Sequence, residues 1–564
     1  MKRASLLQVA MIWGVCFGEV HYTKLVWSRD GCTVIDEGVL LKYSPLDGQP
    51  KNKVVSVTKP LIAPKAGDVQ AIEDGGKVVE MFSQSLNALE SFIPKGCIAE
   101  SSRRVKRERK EPQTEVRKIV SSGDPKNRID VVFMGDGYTK KEKKKFFDDI
   151  ERLTNDMFKG ITFRSWLPLF NIWAIHVESE ESGIGYNGPK NTPFQLFRKQ
   201  GQLRGILPGN PRYARQVCKL TGEGGCDYPS LIGNDDFYGG LGGEFVIATS
   251  SKKSGTIVLR HEMGHNFAKV GEEYDSGQVY SGVNFASSLS NLGWKDWLTG
   301  PVREERAMYR ILKYPWQDLS EGQWSTTFNS DGSYSRWFLS LSVTAADKKD
   351  SLEFLLDGKP LNWQSKGSVD REFYEWKGTS GFSKGNHTFQ VRSLKPTANS
   401  KIPQMIASVT LHEFGNEAEF NMDNENYSAY PTWNSDYEKS YRPTNEKCLM
   451  RNMTSLTFCN VCKEGIWSQF LQRVSLIDSL DFENDVLVLT TLKLGQFREG
   501  SLISGEKLTI EWTLNDSPAT QYNGKLTIPS PAKGKWTANV TFSSPEIYQK
   551  SPNWANDHQT IKVK

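Results

Sequence analysis

The sequence predicts a multidomain protein in which an α/β domain is preceded, interrupted and followed by β domains. The chain has 564 residues, which at roughly 100–200 residues per domain corresponds to about three to five domains. In one region, patterns of buried strands alternate with helical patterns, as they do in α/β layers. Short alternating strands separated by turn residues fill the regions around and within it, which is typical of β domains.

The first 18 residues have the pattern of a secretory signal peptide. A cationic head, Met1–Arg3, precedes an apolar run from Ala4 to Phe17, and the small residue Gly18 follows. That order of segments is the one that export signals use. No later segment is apolar for the roughly 20 residues that a membrane-spanning helix needs. The sequence therefore predicts a secreted, extracellular protein without a membrane span.

Composition and charge give no indication of a nucleic-acid partner. Hydrophobic residues make up 38% of the chain and charged residues 24%, as in globular proteins. The formal net charge of +5 is small for a chain of 564 residues. A nucleic-acid partner would be accompanied by a stronger basic bias, so none is predicted.

Residues 19–111 are predicted to form a small β domain that ends in a basic run. Apolar alternations such as Leu40–Tyr43 and Val54–Val57 are interrupted by Pro and Gly, a strand-and-turn pattern. The basic run contains Arg104–Arg107, which matches a dibasic processing site. This segment is therefore either a linker within the mature protein or the junction of a propeptide.

Residues 112–312 carry the α/β pattern. Continuous β-branched and apolar runs predict strands that are buried on both faces. Thr139 can cap the first helix, whose apolar residues recur at helical spacing. The predicted strands are Arg128–Gly135, Phe170–Val177 and Phe245–Thr249, and the predicted helices run from Lys140 to about Phe158 and from about Ser254 to Val270.

Three further regions complete the predicted organisation. Residues 313–420 show short strands with turn signals and are predicted to be an inserted β-sandwich. Residues 421–482 return to the α/β domain, with a helix predicted at about Ile466–Leu480. Residues 483–564 are predicted to form a C-terminal β-sandwich.

The cysteines are expected to form disulfides, because export places them in an oxidising compartment. Cys32 with Cys97, and Cys218 with Cys226, are the natural local pairs. The three remaining cysteines form a sequence cluster that must leave one thiol over, and its CxxC could alternatively be a metal or redox motif. The clustered cysteines are Cys448, Cys459 and Cys462, and glycosylation sequons occur at Asn386, Asn426, Asn452, Asn515 and Asn539.

The chemistry is indicated by an HExxH motif on the second predicted helix. His261 and His265 are four residues apart, so both imidazoles leave one face of a helix about a turn apart. This spacing lets both side chains bind one Zn²⁺. Glu262 lies beside the first ligand and is predicted to be the general base that takes the proton of a zinc-bound water.

The third zinc ligand is predicted to be acidic. Metzincins use HExxHxxGxxH, but here Ala268 holds the position of that Gly and Gly271 the position of the third His. Gly271 is expected to let the chain leave the helix and reverse. Glu272 is the predicted ligand because it comes first after this turn, and Glu273 is the alternative.

Several blocks in order resemble the M64 metallopeptidase family, which is named for an IgA-cleaving enzyme and is usually placed near the metzincins. The blocks are Asn127–Thr139, Phe170–Trp173, Tyr238–Gly240, the segment HEMGHNFAKVGEEY from His261 to Tyr274, and a later stretch, Cys448–Leu480. The resemblance implies a metzincin-like α+β zinc-peptidase core, with two His and one acidic ligand and a Glu general base. It also implies a Met-turn with Met450 under the metal, although Met450 could equally be an ordinary core residue.

Other segments that look functional are interpreted as structural. His412–Asn416 begins like HExxH but lacks the second His. Asp136–Tyr138 is predicted to be a turn at the end of a strand. Gly239–Gly243 lacks the Lys-Ser/Thr of a phosphate loop and is predicted to shape an edge strand on which an extended peptide could add a strand.

The predicted function is that of a secreted zinc-dependent endopeptidase with one catalytic Zn²⁺ and a protein or peptide substrate. The alternative is a non-enzymatic adhesion or glycan-binding protein on a protease scaffold. In that case aromatic residues of the sandwiches such as Trp337, Trp363 and Trp376 would contact glycans, although core packing accounts for most tryptophans in such domains.

Overall fold

The computed structural model describes most of the chain from Pro112 onwards and several strands before it. The described residues are 20–28, 31–40, 50, 53–57, 77–83, 89, 91–93, 98–99, 112–186, 188–198, 204–268, 270–276, 281–394, 402–434, 436–500, 502–548 and 552–564. The predicted signal peptide, the basic run and Cys97, and with Cys97 the predicted bridge to Cys32, lie outside them. The chain divides into two units, residues 1–111 and 112–564.

The described part of the first unit is a five-stranded sheet with the order β3-β4-β1-β2-β5. The outermost strand β5 runs parallel to β2, and the other neighbouring strands are antiparallel. Leu25, Met81 and Leu89 form its small buried cluster. The strands are β1 Val20–Ser28, β2 Gly31–Leu40, β3 Val54–Val57, β4 Lys77–Ser83 and β5 Ile98–Ala99.

A six-stranded sheet with the order β13-β14-β12-β7-β8-β6 organises the first part of the second unit. Its four central strands are parallel, and both edge strands are antiparallel to their neighbours. All eight residues of β7 are buried, in line with the prediction of a strand covered on both faces. The strands are β6 Thr114–Val120, β7 Ile129–Asp136, β8 Phe170–Val177, β12 Tyr228–Gly233, β13 Gly240–Leu241 and β14 Val246–Thr249, and a separate small sheet contains β9 Gly185–Tyr186, β10 Leu196–Arg198 and β11 Ile206–Pro208.

Helices cover both faces of this sheet. The larger core contains residues of three helices, α1, α3 and α4, and the smaller core contains residues of α2. Glu142 accepts hydrogen bonds from the backbone N–H and the hydroxyl of Thr139 before α1, at 3.0 and 2.8 Å, which satisfies a donor at the helix start. The helices are α1 Lys143–Thr154, α2 Pro211–Cys218, α3 Gly255–Ala268 and α4 Asn460–Leu471.

A β-sandwich is inserted between α3 and α4. One sheet has the order β15-β23-β18-β21, with β16 also paired to β23, and the other has the order β17-β22-β19-β20. The sandwich begins at Ala307, before position 313, because β15 pairs with β23. Its strands are β15 Ala307–Lys313, β16 Gln317–Asp318, β17 Trp324–Ser330, β18 Arg336–Val343, β19 Leu352–Leu356, β20 Lys359–Pro360, β21 Glu372–Gly378, β22 Gly385–Ser393 and β23 Met405–Phe414, and a hairpin follows with β24 Tyr430–Trp433 and β25 Lys439–Arg442.

The C-terminal region consists of two further sheets, ordered β26-β27-β30 and β29-β28-β31-β32. Its core is continuous with the larger core of the α/β layer, where for example the rings of Trp467 and Phe542 lie 4.7 Å apart. The strands are β26 Ile477–Glu483, β27 Val486–Thr491, β28 Lys507–Leu514, β29 Ser517–Pro518, β30 Thr527–Pro529, β31 Gly534–Ser543 and β32 Asn556–Val563.

The prediction of a helix at about Ile466–Leu480 is wrong in its second half. Helix α4 ends at Leu471, and Ile477–Glu483 is strand β26, which pairs antiparallel with β27. The helical spacing of apolar residues continues past the true end, but pairing with β27 outweighs that local pattern. Across the described residues, more of the chain lies in strands than in helices. None of the helices in the described ranges is both long enough and apolar enough to cross a bilayer.

Candidate active site

Helix α3 brings His261 and His265 together on one face. Their rings lie 4.8 Å apart at an angle of 88°, and their Nε2 atoms are 3.3 Å apart. Leu259, Met263 and Phe267 of the same helix are buried in the larger core, so packing fixes the helix and with it the two imidazoles. Both Nε2 atoms therefore point to one common position.

Glu272 completes this group from the chain that follows the helix. Its Oε1 atom lies 3.2 Å from Nε2 of His261 and 2.8 Å from Nε2 of His265. Its Oε2 atom is buried and makes no hydrogen bond. His265 Nδ1 lies 2.8 Å from the carbonyl oxygen of Val270, an arrangement that places the proton on Nδ1 and leaves Nε2 free to bind a metal.

The turn that carries Glu272 is held by Asn284. The Gly271 N–H donates to Asn284 Oδ1 at 2.7 Å, and Asn284 Nδ2 donates to the Gly271 carbonyl at 3.0 Å. The chain leaves the helix before Gly271, as expected, and Gly271 itself has no positive φ. A Cβ at this position would lie 2.6 Å from the Ser281 carbonyl oxygen, so glycine is needed here for close packing.

Asp275 anchors the far end of the same turn. It is buried and accepts hydrogen bonds from the backbone N–H of Trp433 at 3.0 Å and from the Thr432 hydroxyl at 3.2 Å. It also forms a buried ion pair with Arg451. His412 Nε2 lies 2.9 Å from Asp275 Oδ2. Residues from the hairpin and from the inserted sandwich thus support the segment that presents Glu272.

Glu262, the predicted general base, faces the cleft beside His261. A Cβ at Gly242 would overlap with the Glu262 Oε2 atom, so only a glycine lets the edge strand approach this carboxylate. Gly240–Leu241 is that edge strand, antiparallel to β14. The Gly240 N–H donates to the Arg204 carbonyl at 3.0 Å, which covers part of the edge.

Met450 is fully buried against α3. A Cβ at Gly264 would lie 3.1 Å from its sulfur and 2.9 Å from Cε1 of Phe458. Gly264 directly precedes His265 in the helix, so the Met450 side chain packs against the part of α3 that carries the histidines. This is the position that the family resemblance implies for the methionine of a Met-turn.

The electrostatics of the group favour a bound cation. Burial alone would lower the pKa of His261, but the charge of Glu272 outweighs burial and raises it to about 9. Burial likewise would raise the pKa of Glu272, but the neighbouring histidines hold it far below its ordinary value. Neighbouring positive charge and hydrogen bonds both lower the pKa of a buried carboxyl group in this way, and a bound cation would supply such charge.

The three side chains fit a zinc ion. Zn²⁺ takes imidazole nitrogen and carboxylate oxygen as ligands, and catalytic sites combine three protein ligands with one open position. The ligand atoms of His261, His265 and Glu272 all lie within 4.8 Å of one another. The buried Oε2 atom of Glu272 has no hydrogen-bond partner, so it is a further oxygen in this group that is available to a metal ion.

The group opens into a cleft of about 310 Å³. Helix α3 and strand β13 line it on one side, and strands β18, β21 and β23 of the inserted sandwich line it on the other. Arg204, Tyr274 and Arg371 are polar lining residues that sequence reasoning did not select. Burial raises the pKa of Tyr274 well above its ordinary value, so its hydroxyl remains protonated and can donate a hydrogen bond.

Glu273 faces away from the histidines, into a cluster of three cysteines. Its ligand atom lies within 4.8 Å of those of Cys448, Cys459 and Cys462. All three cysteines are free, so the expectation of one bridge and one remaining thiol among them is wrong. The physical reason is that the sulfurs surround a common point together with a carboxylate instead of pairing. Cys218 and Cys226 do form a disulfide.

The other predicted structural segments have clear roles. Asp136 is buried and accepts hydrogen bonds of 2.8 Å from the Thr192 hydroxyl and from the N–H groups of Phe194 and Leu196. His412 and Glu413 lie on strand β23 and not on a helix. The indole N–H groups of Trp363 and Trp376 donate to carbonyls of their own sandwich, at 3.1 and 2.7 Å.

Several solved structures share limited similarity with the chain. A CBM35 from Cellvibrio japonicus Abf62 is 10% identical over 20% of this chain and 96% of its own, with a TM-score of 0.12. A GH2 beta-galacturonidase from Eisenbergiella tayi is 11% identical over 43% of this chain and 34% of its own, also with a TM-score of 0.12. Scores this low support no conclusion about fold or ligand. No curated protein matches the sequence.

A protein-family match covers the region that contains the site. Residues 117–319 match the family described as IgA Peptidase M64. This range includes the six-stranded sheet from β7 onwards, helix α3 and both glutamates that follow it. It confirms the resemblance for the blocks between Asn127 and Tyr274, and it supports a peptidase function; the block Cys448–Leu480 lies outside the match. The part of the chain that carries His261, Glu262, His265 and Glu272 is thus similar to the M64 peptidases.

Proposed function

We propose that this chain is a secreted zinc endopeptidase that hydrolyses peptide bonds in the cleft between α3 and the inserted sandwich. The observation that carries the proposal is the convergence of His261, His265 and Glu272, of which His261 and Glu272 line this cleft together with Glu262. His261, His265 and Glu272 would hold the ion. What Zn²⁺ supplies when bound is Lewis acidity, which polarises a carbonyl and lowers the pKa of water towards about 7.

Glu262 would move the proton during hydrolysis. It faces the cleft next to His261 and is kept in place by the close approach of Gly242. A carboxylate at this position can accept the proton of the attacking water and later donate it to the leaving amine. The protonated hydroxyl of Tyr274, whose ring lies 5.8 Å from that of His261, is a donor available to the carbonyl oxygen of the substrate.

The substrate would bind as an extended peptide along strand β13. An extended segment can add to the edge of a sheet by main-chain hydrogen bonds. Gly240 already donates to Arg204, so the free part of the edge begins at Leu241, whose side chain is exposed. Phe338 and Phe373 of the sandwich face this edge across the cleft. The sandwich would therefore select the side chains of the substrate.

The alternative function, glycan binding or adhesion, has less support. Trp363 and Trp376 spend their indole N–H groups on carbonyls of their own domain. Both rings also pack against the core of that sandwich. The two rings also line a separate surface cavity of about 420 Å³, so the preference for a peptidase rests on the histidine site and not on the absence of an accessible aromatic face.

Replacing Glu262 tests the proposal. In Glu262→Gln, zinc should still bind because all three ligands remain, and hydrolysis of a denatured protein should fall by about 10²–10⁴-fold. Glu511→Gln, the same chemical change on an exposed position of β28, is the matched control and should retain full activity. Wild-type turnover in Glu262→Gln would refute the proposal.

A further inference from the structure

A second group of metal-ligating side chains lies outside the cleft. It consists of Glu273, Cys448, Cys459 and Cys462, each of which has no solvent-exposed surface. The four ligand atoms lie within 4.8 Å of one another. None of these four residues lines the cleft, so the group is closed to solvent and separate from the histidines.

The sulfur positions differ from those of a disulfide. Sγ of Cys448 and Sγ of Cys462 are 3.6 Å apart, whereas bonded sulfurs are about 2.0 Å apart. Two sulfurs bound to one tetrahedral Zn²⁺ at about 2.3 Å stand about 3.8 Å from each other. Cys462 Sγ is also 3.6 Å from Glu273 Oε1. The spacings within the group are therefore those of donors around a common centre.

The carboxylate of Glu273 provides an independent indication of a ligand. Its Oε2 atom is buried without a hydrogen-bond partner, and a buried polar atom in that state destabilises the fold unless a ligand satisfies it. Its Oε1 atom accepts a hydrogen bond of 2.7 Å from Asn284 Nδ2. This arrangement, one oxygen oriented by a neighbour and the other free, is that of a metal-ligating carboxylate.

We propose that Cys448, Cys459, Cys462 and Glu273 bind a second, structural Zn²⁺. Three thiolates and one carboxylate are a soft, four-donor set, which suits Zn²⁺ better than Ca²⁺ or Mg²⁺. Because all four positions are taken by the protein, no site is left for water or substrate, as in structural zinc sites. The proposal does not depend on the peptidase function of the cleft.

The surroundings suit the negative charge of such a centre. The backbone N–H of Cys459 points to Cys448 Sγ at 3.4 Å, and N–H groups of this kind stabilise thiolates. The buried guanidinium of Arg442 interacts electrostatically with Glu273. Arg451 Nη1 donates to the Glu273 carbonyl at 3.1 Å. Positive charge is thus present on the side of the group where Glu273 enters.

The second ion would hold together the two segments that build the cleft site. Glu273 directly follows Glu272, and Cys448 lies two residues before Met450. The Glu273 N–H donates to the Met450 carbonyl at 3.2 Å. One ion bound to Glu273 and Cys448 would therefore fix both the third ligand of the cleft and the methionine that packs against α3.

The test uses full-length protein in which the cleft ligands have been removed. The variant with His261→Ala and His265→Ala should still bind one Zn²⁺ per chain, and the wild type should bind two. X-ray absorption at the zinc edge of this variant should show sulfur at about 2.3 Å. In the folded wild type, alkylation should spare the three cysteines until a chelator and denaturant are added, while Cys218 and Cys226 are recovered as a disulfide.

Several outcomes would overturn this assignment. A folded His261→Ala, His265→Ala variant without zinc would do so, as would a peptide map with a disulfide among Cys448, Cys459 and Cys462. The Cys459→Ser variant should lose the second ion. If it does not fold, the wild type decides: zinc that shows no sulfur neighbours would refute the site. These measurements do not involve hydrolysis, so failure here is distinct from failure of the peptidase proposal.

Discussion

Glu272 and Glu273 are neighbours in sequence, yet their carboxylates belong to two different donor groups. Glu272 joins two histidines at the floor of an open cleft, and Glu273 joins three cysteines in the core. The first group has three protein donors with a position left for a reactant, and the second has four donors and none. Solvent access and the number of metal-binding side chains, and not the distance between two sites in the sequence, therefore distinguish a catalytic metal site from a structural one.

Removing each carboxylate in turn tests whether Glu272 and Glu273 belong to different donor groups, and it has the largest expected effect. Glu272→Ala should lower zinc affinity in the cleft by more than the roughly 10–100-fold that outer contacts to a metal contribute, and hydrolysis should fall with it. Glu273→Ala should remove one hydrogen bond of Asn284 and one ligand of the proposed second ion, and lower the free energy of unfolding by at least about 1–3 kcal/mol. Zinc content after dialysis against a mild chelator, X-ray absorption at the zinc edge to distinguish the sulfur-bound ion from the histidine-bound ion, and thermal unfolding together measure these effects.

Each of these two variants serves as the control for the other. The Glu273→Ala protein that remains folded should keep the zinc bound by His261 and His265. If instead Glu273→Ala empties the cleft and Glu272→Ala does not, the two glutamates have exchanged roles and the proposed ligand set is wrong by one residue.

A smaller effect is expected from Gly242→Ala, which leaves both donor groups intact. The new Cβ would overlap with the Glu262 carboxylate, so this side chain must move. A displacement of about 1 Å at a reacting group can reduce turnover by about 10²-fold, and we expect a decrease in kcat of that order with unchanged zinc content. Gly205→Ala is the matched control, because a Cβ there has no neighbouring atom within 4 Å. Equal activity of the two variants would contradict the placement of Glu262.

The smallest expected effect is on the free energy of unfolding and comes from a pair in the inserted sandwich, His387 and Asp357, which contacts neither donor group. Burial lowers the pKa of His387, but the hydrogen bond to Asp357 outweighs it and raises the pKa above its ordinary value. The pair therefore stabilises the fold below the unfolded pKa of about 6.5, and this contribution disappears as pH rises through the folded pKa. Asp357→Asn should cost less than about 1 kcal/mol.

Chemical unfolding of Asp357→Asn and wild type at about pH 6 and about pH 8.5 measures this contribution. The difference in free energy of unfolding should be present at the lower pH and shrink at the higher one. A difference that grows with pH would show that His387 is not the titrating group. Both proteins should bind the same amount of zinc, because Asp357 contacts neither donor group.

The sequence predicted the central strands and the histidine-bearing helix α3 because their signals are local. The apolar runs that become β7 and β8, and the i, i+4 histidines of α3, need no distant partner to be recognised. The end of α4 was missed because β26 is defined by pairing with β27. The sequence did not predict that the Glu273 side chain lies among the cysteines, for a similar reason. Its partner Cys462 is 189 positions away, and no local pattern indicates the direction of that side chain.

The inserted sandwich also has a consequence for when the enzyme can act during its own synthesis. The ribosome makes the histidine helix first, but Met450 and the cysteines that contact the following turn come from the far side of the insertion. At about 5–20 residues per second, the 189 positions between Glu273 and Cys462 correspond to about 10–40 s. During that time the nascent chain carries both histidines but lacks the residues that fix Glu272. If the cleft is the peptidase site proposed above, the order of the chain delays its activity until the inserted sandwich has emerged.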